Sequence, residues 1–330
     1  MPKLSITVAT GPYDRVRAIR DGHIEIEGCA VNYIELNPEE LFFRAARHAE
    51  FDVCEMSFST YILQVAKGIS QYVAVPAFLS RAFRHSGFYI RTDRGIDRPE
   101  DLRGRTVGVP EYQMTAALWQ RGLLRDQHGV DVDAIRWRTG GAEEPGRKER
   151  MRIELPSGID VQAIPTDETL SGMLARGSLD AVIMPGVPSC FVQQLPHIGR
   201  LFPDYRRAEQ DYYAKTKIHP IMHVVVVRKA LLAQWPWLAA SVYKAFRQAK
   251  AAAIVDLEYQ TAFRTTLPWL SAELAATREV LGHDFWPYGV DENRHEIETM
   301  LRYSAQDGLI DTDLSVEDLF ASSTLQSSRI

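Results

Sequence analysis

A strand–turn–helix unit that recurs, and then starts afresh, constrains this chain more than any other feature. Residues 4–9 alternate apolar and polar like a strand and run into Thr10-Gly11-Pro12-Tyr13-Asp14. Residues 30–36 read as a second strand, after which Asn37 caps a helix with Pro38 at its first position, to about Glu50. Residues 52–56 form a short strand, and Ser57-Phe58-Ser59 opens a helix that stops at Gly68. Strands follow at 72–76 and 87–91. The pattern then restarts, with strands at 105–109, 134–138, 160–164 and 180–184 and helices at 112–127 and 167–176. Alternation of this kind predicts parallel sheets covered by helices, an α/β fold. The last third carries one long apolar strand at 221–228 and is otherwise mainly helical, from Pro236 to about Tyr259, at 271–281 and at 291–306.

Two polar stretches, 91–98 and 215–220, stand where one run of units gives way to the next. Two such crossings predict one domain inserted into another. Residues 1–91 plus 220–330 would form a discontinuous α/β domain with a helical C-terminal part, and 92–219 an inserted α/β domain. A cleft between them would face the C-terminal ends of both sheets, where helix N-termini and loops converge on ligands. The length of 330 residues agrees, at roughly 100–200 residues per domain.

Charge and motifs remove several classes of function. A formal charge of −5 and a pI near 6.0 provide no global attraction for nucleic acid. No stretch approaches the roughly 20 apolar residues of a membrane span. Cys29, Cys54 and Cys190 are too widely spaced for a metal motif and odd in number for a disulfide framework. Met1-Pro2-Lys3 leads directly into a strand pattern without a long apolar stretch, so a reducing, cytoplasmic location is expected. There is no GxSxG, HExxH, Walker A or dinucleotide fingerprint, so no cofactor is expected.

The candidate chemistry sits at turns and crossings. Tyr13 follows the first strand, Glu55, Ser57 and Ser59 surround the end of the third, and Tyr112, Gln113 and Thr115 open the helix after 105–109. Hydroxyl and amide side chains beside free backbone N–H groups suit an anion, although N-capping would explain each singly. Arg81, Arg84 and His85 make a cationic cluster among aromatic residues. Arg supplies a planar fork for a carboxylate and His a proton near neutral pH. His219 and His223 would lie on one strand face about 13 Å apart, at roughly 3.3 Å per residue. His219 is then the cleft candidate and His223 a satisfied core histidine. Trp286 lies in a turn that could wall a pocket. Residues 140–158, rich in Gly and charge, read as a solvated loop.

Four stretches carry a family resemblance. They are Glu39-Glu40-Leu41-Phe42-Phe43-Arg44 through Phe51-Asp52-Val53-Cys54-Glu55-Met56-Ser57; Ser80-Arg81-Ala82-Phe83-Arg84-His85-Ser86; Val109-Pro110-Glu111-Tyr112-Gln113-Met114-Thr115-Ala116; and Thr139-Gly140-Gly141 with Glu144-Pro145-Gly146-Arg147-Lys148. Together with Pro188-Ser189-Cys190-Phe191 and His219-Pro220-Ile221-Met222-His223, they closely resemble the 4,5-dihydroxyphthalate decarboxylases. The general layout resembles type II periplasmic solute-binding proteins.

The resemblance implies cofactor-free decarboxylation of a small aromatic dicarboxylate to protocatechuate and carbon dioxide. On that basis Arg81 is expected as the carboxylate clamp, His85 and His219 as the acid–base pair and Glu55 as a reserve proton donor. Tyr13, Ser57, Ser59, Arg84, Tyr112, Gln113, Thr115 and Trp286 are expected to line the substrate. Two alternatives stay open. One is a divalent ion chelating the catechol through Glu55, His85 and His219, which no spacing supports. The other is a solute-binding protein for an aromatic acid, without turnover. Neither nucleic acid nor membrane is an expected partner. Trp235, Trp237 and Trp269 could serve a homo-oligomer interface, with core packing the plainer use.

Overall fold

The computed structural model describes residues 2–326. Its strands, in chain order, are β1 (Leu4–Thr10), β2 (Cys29–Glu35), β3 (Val53–Ser57), β4 (Tyr72–Arg81), β5 (Phe88–Arg91), β6 (Thr106–Val109), β7 (Arg136–Thr139), β8 (Val161–Ala163), β9 (Ala181–Ile183), β10 (Ile198–Arg200) and β11 (Ile221–Arg228). They form two sheets, ordered β2-β1-β3-β11-β4 and β10-β5-β9-β6-β7-β8.

In the first sheet β1 pairs in parallel with β2 and β3, and β11 enters antiparallel between β3 and β4. Burial on both faces explains the apolar run of β11. The local signals act as read. The Asn37 side chain accepts from Glu39 N–H at 2.9 Å, with Pro38 opening the Pro38–His48 helix. β4 runs five residues beyond the expected end at Pro76. As an edge strand it can hold a proline, whose missing N–H breaks no interior ladder. The extension places Ser80 and Arg81 on a strand, opposite His223 and Ile221.

In the second sheet β6 lies parallel to β7 and β9, and β7 to β8. β5 runs antiparallel to β9 and β10 antiparallel to β5. The Thr115–His128 helix is mostly buried and ends on Gly129 in the left-handed conformation. β10 and the Tyr205–Thr216 helix have no counterpart in the sequence reading.

The chain divides into two compact units. Unit 1 is Met1–Arg81, Ile221–Glu298 and Asp313–Ile330; unit 2 is Ala82–Pro220 and Thr299–Thr312. β5, expected before the first crossing, belongs to the unit 2 sheet, so the chain passes at Arg81/Ala82 rather than at 91–98. The return falls at Pro220/Ile221. Residues 299–312 form a further passage that the sequence reading lacked. No composition break marks it, because Arg294–Gln306 is one continuous helix. Asp307 anchors this segment within unit 2, accepting from Arg121 Nε at 2.5 Å and from the Arg125 guanidinium. The three cysteines are buried and free. Among the described residues no helix is long and apolar enough to cross a membrane.

Candidate active site

In unit 1 the ends of β1, β3 and β11 meet around one carboxylate. Glu55 is completely buried in β3. Its Oε2 accepts from Gly11 N–H at 2.9 Å, while Oε1 accepts from the Tyr13 hydroxyl at 2.8 Å and meets His223 Nδ1 at 2.6 Å. Burial alone would raise the carboxyl's pKa. The bond and charge of His223, the Gly11 amide and the Tyr13 hydroxyl outweigh it and hold Glu55 below the ordinary value. Glu55 is therefore an ionised acceptor, which corrects its expected role as reserve proton donor.

An ionised carboxylate can only accept, so His223 Nδ1 is the donor toward Glu55 and Nε2 is the ring nitrogen that does not face it. The His223 side chain is 18% exposed, and Nε2 has no hydrogen-bond partner among the described residues. Phe42 packs edge-on against the ring at 4.7 Å. His223 is thus no satisfied core histidine. Spacing along the chain places it on a strand face, but its carboxylate partner comes from the antiparallel register that sets Ser57 and Glu55 beside it.

The other unit 1 candidates surround this centre or support it. Ser57 sits directly opposite His223 and its Oγ accepts from the Thr60 hydroxyl at 3.3 Å. Ser59 is buried in the first turn of the Phe58–Ala66 helix. Trp286 donates its indole N–H to Phe78 O at 2.9 Å and stacks on the Arg15 guanidinium. Arg81 takes a different part from the one expected. Its side chain is 0% exposed, donates to Pro287 O at 2.9 Å and to Asn293 Oδ1, and lies 3.9 Å from Glu296. It ties the C-terminal segment to β4 and is not presented as a clamp.

In unit 2 His85 and His219 gather in one aromatic cluster. His219 stacks on Phe83 with centroids 4.8 Å apart, and Phe83 and His85 both pack against Tyr212. Phe202 closes over His85 at 5.1 Å. Burial, with a lesser contribution from His128, lowers the His85 pKa to about 4, so its imidazole is neutral at ordinary pH. Burial likewise lowers Arg84 to about 10 against the opposing pull of Glu209.

Beside the start of the Thr115–His128 helix, where Thr115 is buried, lies a second carboxylate cluster. Glu111 accepts from Arg147 Nη2 at 2.6 Å and Arg150 Nη2 at 3.2 Å, and Glu149 accepts from Tyr112 N–H at 2.6 Å. The Gln113 amide, turned so that its oxygen faces the donors, accepts from Arg150 and Met151 N–H. The Tyr112 ring lies 3.8 Å beneath the Arg121 guanidinium, and its hydroxyl donates to Asp307 O. Tyr112 and Gln113 thus hold the loop in place. The loop expected to be solvated is pinned by buried charge, a pairing across 36 residues that no local pattern announces.

No group of three His, Cys, Asp or Glu side chains able to hold a metal ion occurs among the described residues. Of the ligands weighed for such an ion, Glu55 belongs to unit 1 and His85 and His219 to unit 2. Glu55 is already engaged by three donors.

No family model matches the chain. It is similar to a 4,5-dihydroxyphthalate decarboxylase from Comamonas testosteroni, 43% identical over 330 residues and covering 100% of both chains. It is also similar to one from Pseudomonas putida, 48% identical over 213 residues, covering 64% of this chain and 83% of the relative. Among solved structures, the periplasmic aliphatic sulphonate binding protein SsuA from Escherichia coli superposes with a TM-score of 0.55 at 10% identity, covering 98% of this chain and 99% of that one. This last likeness supports the periplasmic-binding-protein-like fold and nothing about ligand.

Proposed function

The chain belongs to the 4,5-dihydroxyphthalate decarboxylase family, and from that premise we propose that it is a carboxy-lyase of phthalate degradation that turns 4,5-dihydroxyphthalate into protocatechuate and carbon dioxide, with His223 as its base. The observation that carries the residue assignment is the ionised Glu55 at 2.6 Å from His223 Nδ1, with Nε2 left available. We take the enzyme to be cytoplasmic.

The substrate's ring is its own electron sink, because each carboxylate lies para to a hydroxyl. His223 Nε2 takes the proton of one hydroxyl, and Glu55 stabilises the imidazolium that forms. Electron density moves to the para carbon bearing the leaving carboxylate. That carbon takes up one proton from water, giving a dienone-like intermediate. The bond to the carboxylate breaks, carbon dioxide leaves, and the bonding pair restores the aromatic ring, whose para oxygen, now a phenolate, takes back the proton held on His223. This logic matches a carboxylate–histidine pair in which the third group orients the base.

The test is incubation of purified protein with 4,5-dihydroxyphthalate, product being followed by chromatography with and without chelator. Protocatechuate should form, and in D2O it should carry one deuterium at the vacated ring carbon. Tight binding without product would overturn the reading in favour of a solute-binding protein. Product formation that survives unchanged in His223→Ala would overturn the assignment of the base.

A further inference from the structure

The geometry points to Tyr13 as a positioning residue that sets the proton affinity of His223 by drawing on the same oxygen of Glu55. The inference rests on the reading of His223 as the base and deepens it. Glu55 Oε1 accepts from the Tyr13 hydroxyl at 2.8 Å and meets His223 Nδ1 at 2.6 Å, whereas among the described residues Oε2 serves only the Gly11 amide. Two donors on one oxygen divide its charge. The more Tyr13 takes, the less remains to stabilise an imidazolium.

Tyr13 is built to stay on that oxygen. Its backbone N–H turns back to Gly11 O at 3.0 Å. A Cβ at Gly11 would lie 2.8 Å from the Tyr13 ring, so only glycine lets the ring close over residue 11. The Arg15 guanidinium covers the ring at 4.3 Å. Burial first, then the charge and hydrogen bond of Glu55, push the phenol's pKa up, so it remains a neutral donor. The other titratable groups around Glu55 are Tyr33, Cys54 and Tyr288, each raised chiefly by burial and hence uncharged. Tyr33 is held at 2.5 Å from the Thr10 hydroxyl. The charged groups near the centre are then Glu55, Arg15 and, when protonated, His223, with Asp14 and Arg81 reaching Tyr288 from further out.

The sign follows. Tyr13→Phe returns the whole of Oε1 to His223, favours the imidazolium and moves the acidic limb of the kcat/KM profile to higher pH, by roughly 0.5–1 unit for one hydrogen bond. Site-specific replacement of Tyr13 by 3-fluorotyrosine keeps the shape, strengthens the donor and moves the limb to lower pH. An NMR titration of the His223 imidazole, assigned by its loss in His223→Gln, should move in the same two directions. A uniform rate loss with limb and NMR midpoint unmoved would mean that Tyr13 only supports the fold, and would overturn the inference. So would movement in the same direction in both variants. If the NMR midpoints move as stated while the rate profile does not, the Tyr13 inference holds and His223 is not the base.

Discussion

His223 in unit 1 and His85 in unit 2 are both imidazoles with an aromatic ring packed edge-on against them, yet their polar surroundings differ. His223 faces an ionised carboxylate through Nδ1, and its Nε2 has no partner among the described residues. His85 faces the rings of Phe202 and Tyr212, and its Nδ1 is buried without a hydrogen-bond partner. A carboxylate lets an imidazole accept a proton and keep it in place, whereas an aromatic cage penalises the charged form. The lesson concerns partners. His85 is buried and His223 only partly so, and among the described residues only His223 of the two has a buried counter-charge beside its ring.

The comparison breaks most directly on turnover. His223→Ala should cut kcat/KM with 4,5-dihydroxyphthalate by about 10²–10⁴, and His85→Ala by less than about tenfold. Equal losses in a steady-state assay would show that the aromatic cage also holds a reacting group. Arg81→Leu tests the claim that this arginine supports structure. It removes the guanidinium from the buried Glu296 and Asn293, which should cost about 3–5 kcal/mol in denaturant unfolding. A stable Arg81→Leu variant with a greatly raised KM would restore the clamp.

Smaller effects appear in the pH dependence of stability. His85 has its folded pKa depressed to about 4 from 6.5, so the native state binds fewer protons than the unfolded chain between those values. Its contribution to stability is present above about pH 6.5 and is lost as pH falls toward 4, at most about 3 kcal/mol. Unfolding curves of His85→Leu should lack that component. Glu149 works in the opposite sense. Burial, with repulsion from Glu111, raises its pKa to about 7 from 4.5, so stability declines as pH rises between those values. Glu149→Gln should therefore gain a few degrees in Tm relative to the parent at pH 8 and little at pH 4.5. An unchanged difference across that range would show that the carboxyl is not titrating.

Much of the fold was legible because its signals are local. Asn37-Pro38 announces a helix start, Gly129 a helix end, and the β-branched run at 221–228 a buried strand. Glu55 and Tyr13 stand out in the sequence as candidates because they lie at strand ends. The pairing of Glu55 with His223 does not, because the two are 168 residues apart and only the β3–β11 register unites them. The Glu111 clamp was hidden for the same reason. Arg147 and Arg150 resemble any charged loop until a buried carboxylate lies under them.

Sequence alone suffices for an α/β chain of recurrent strand–helix units and for membership of a family through several long motifs. Each depends on hydrophobic period, capping chemistry or residue identity along the chain, and none requires knowing what touches what. Packing in three dimensions sets the contact of His223 with Glu55, the commitment of Arg81 to the C-terminal segment and the place of 299–312 in unit 2. Those outcomes depend on strand register and on buried charge pairing. A period-2 pattern tells which face a side chain takes and never which neighbour it finds there.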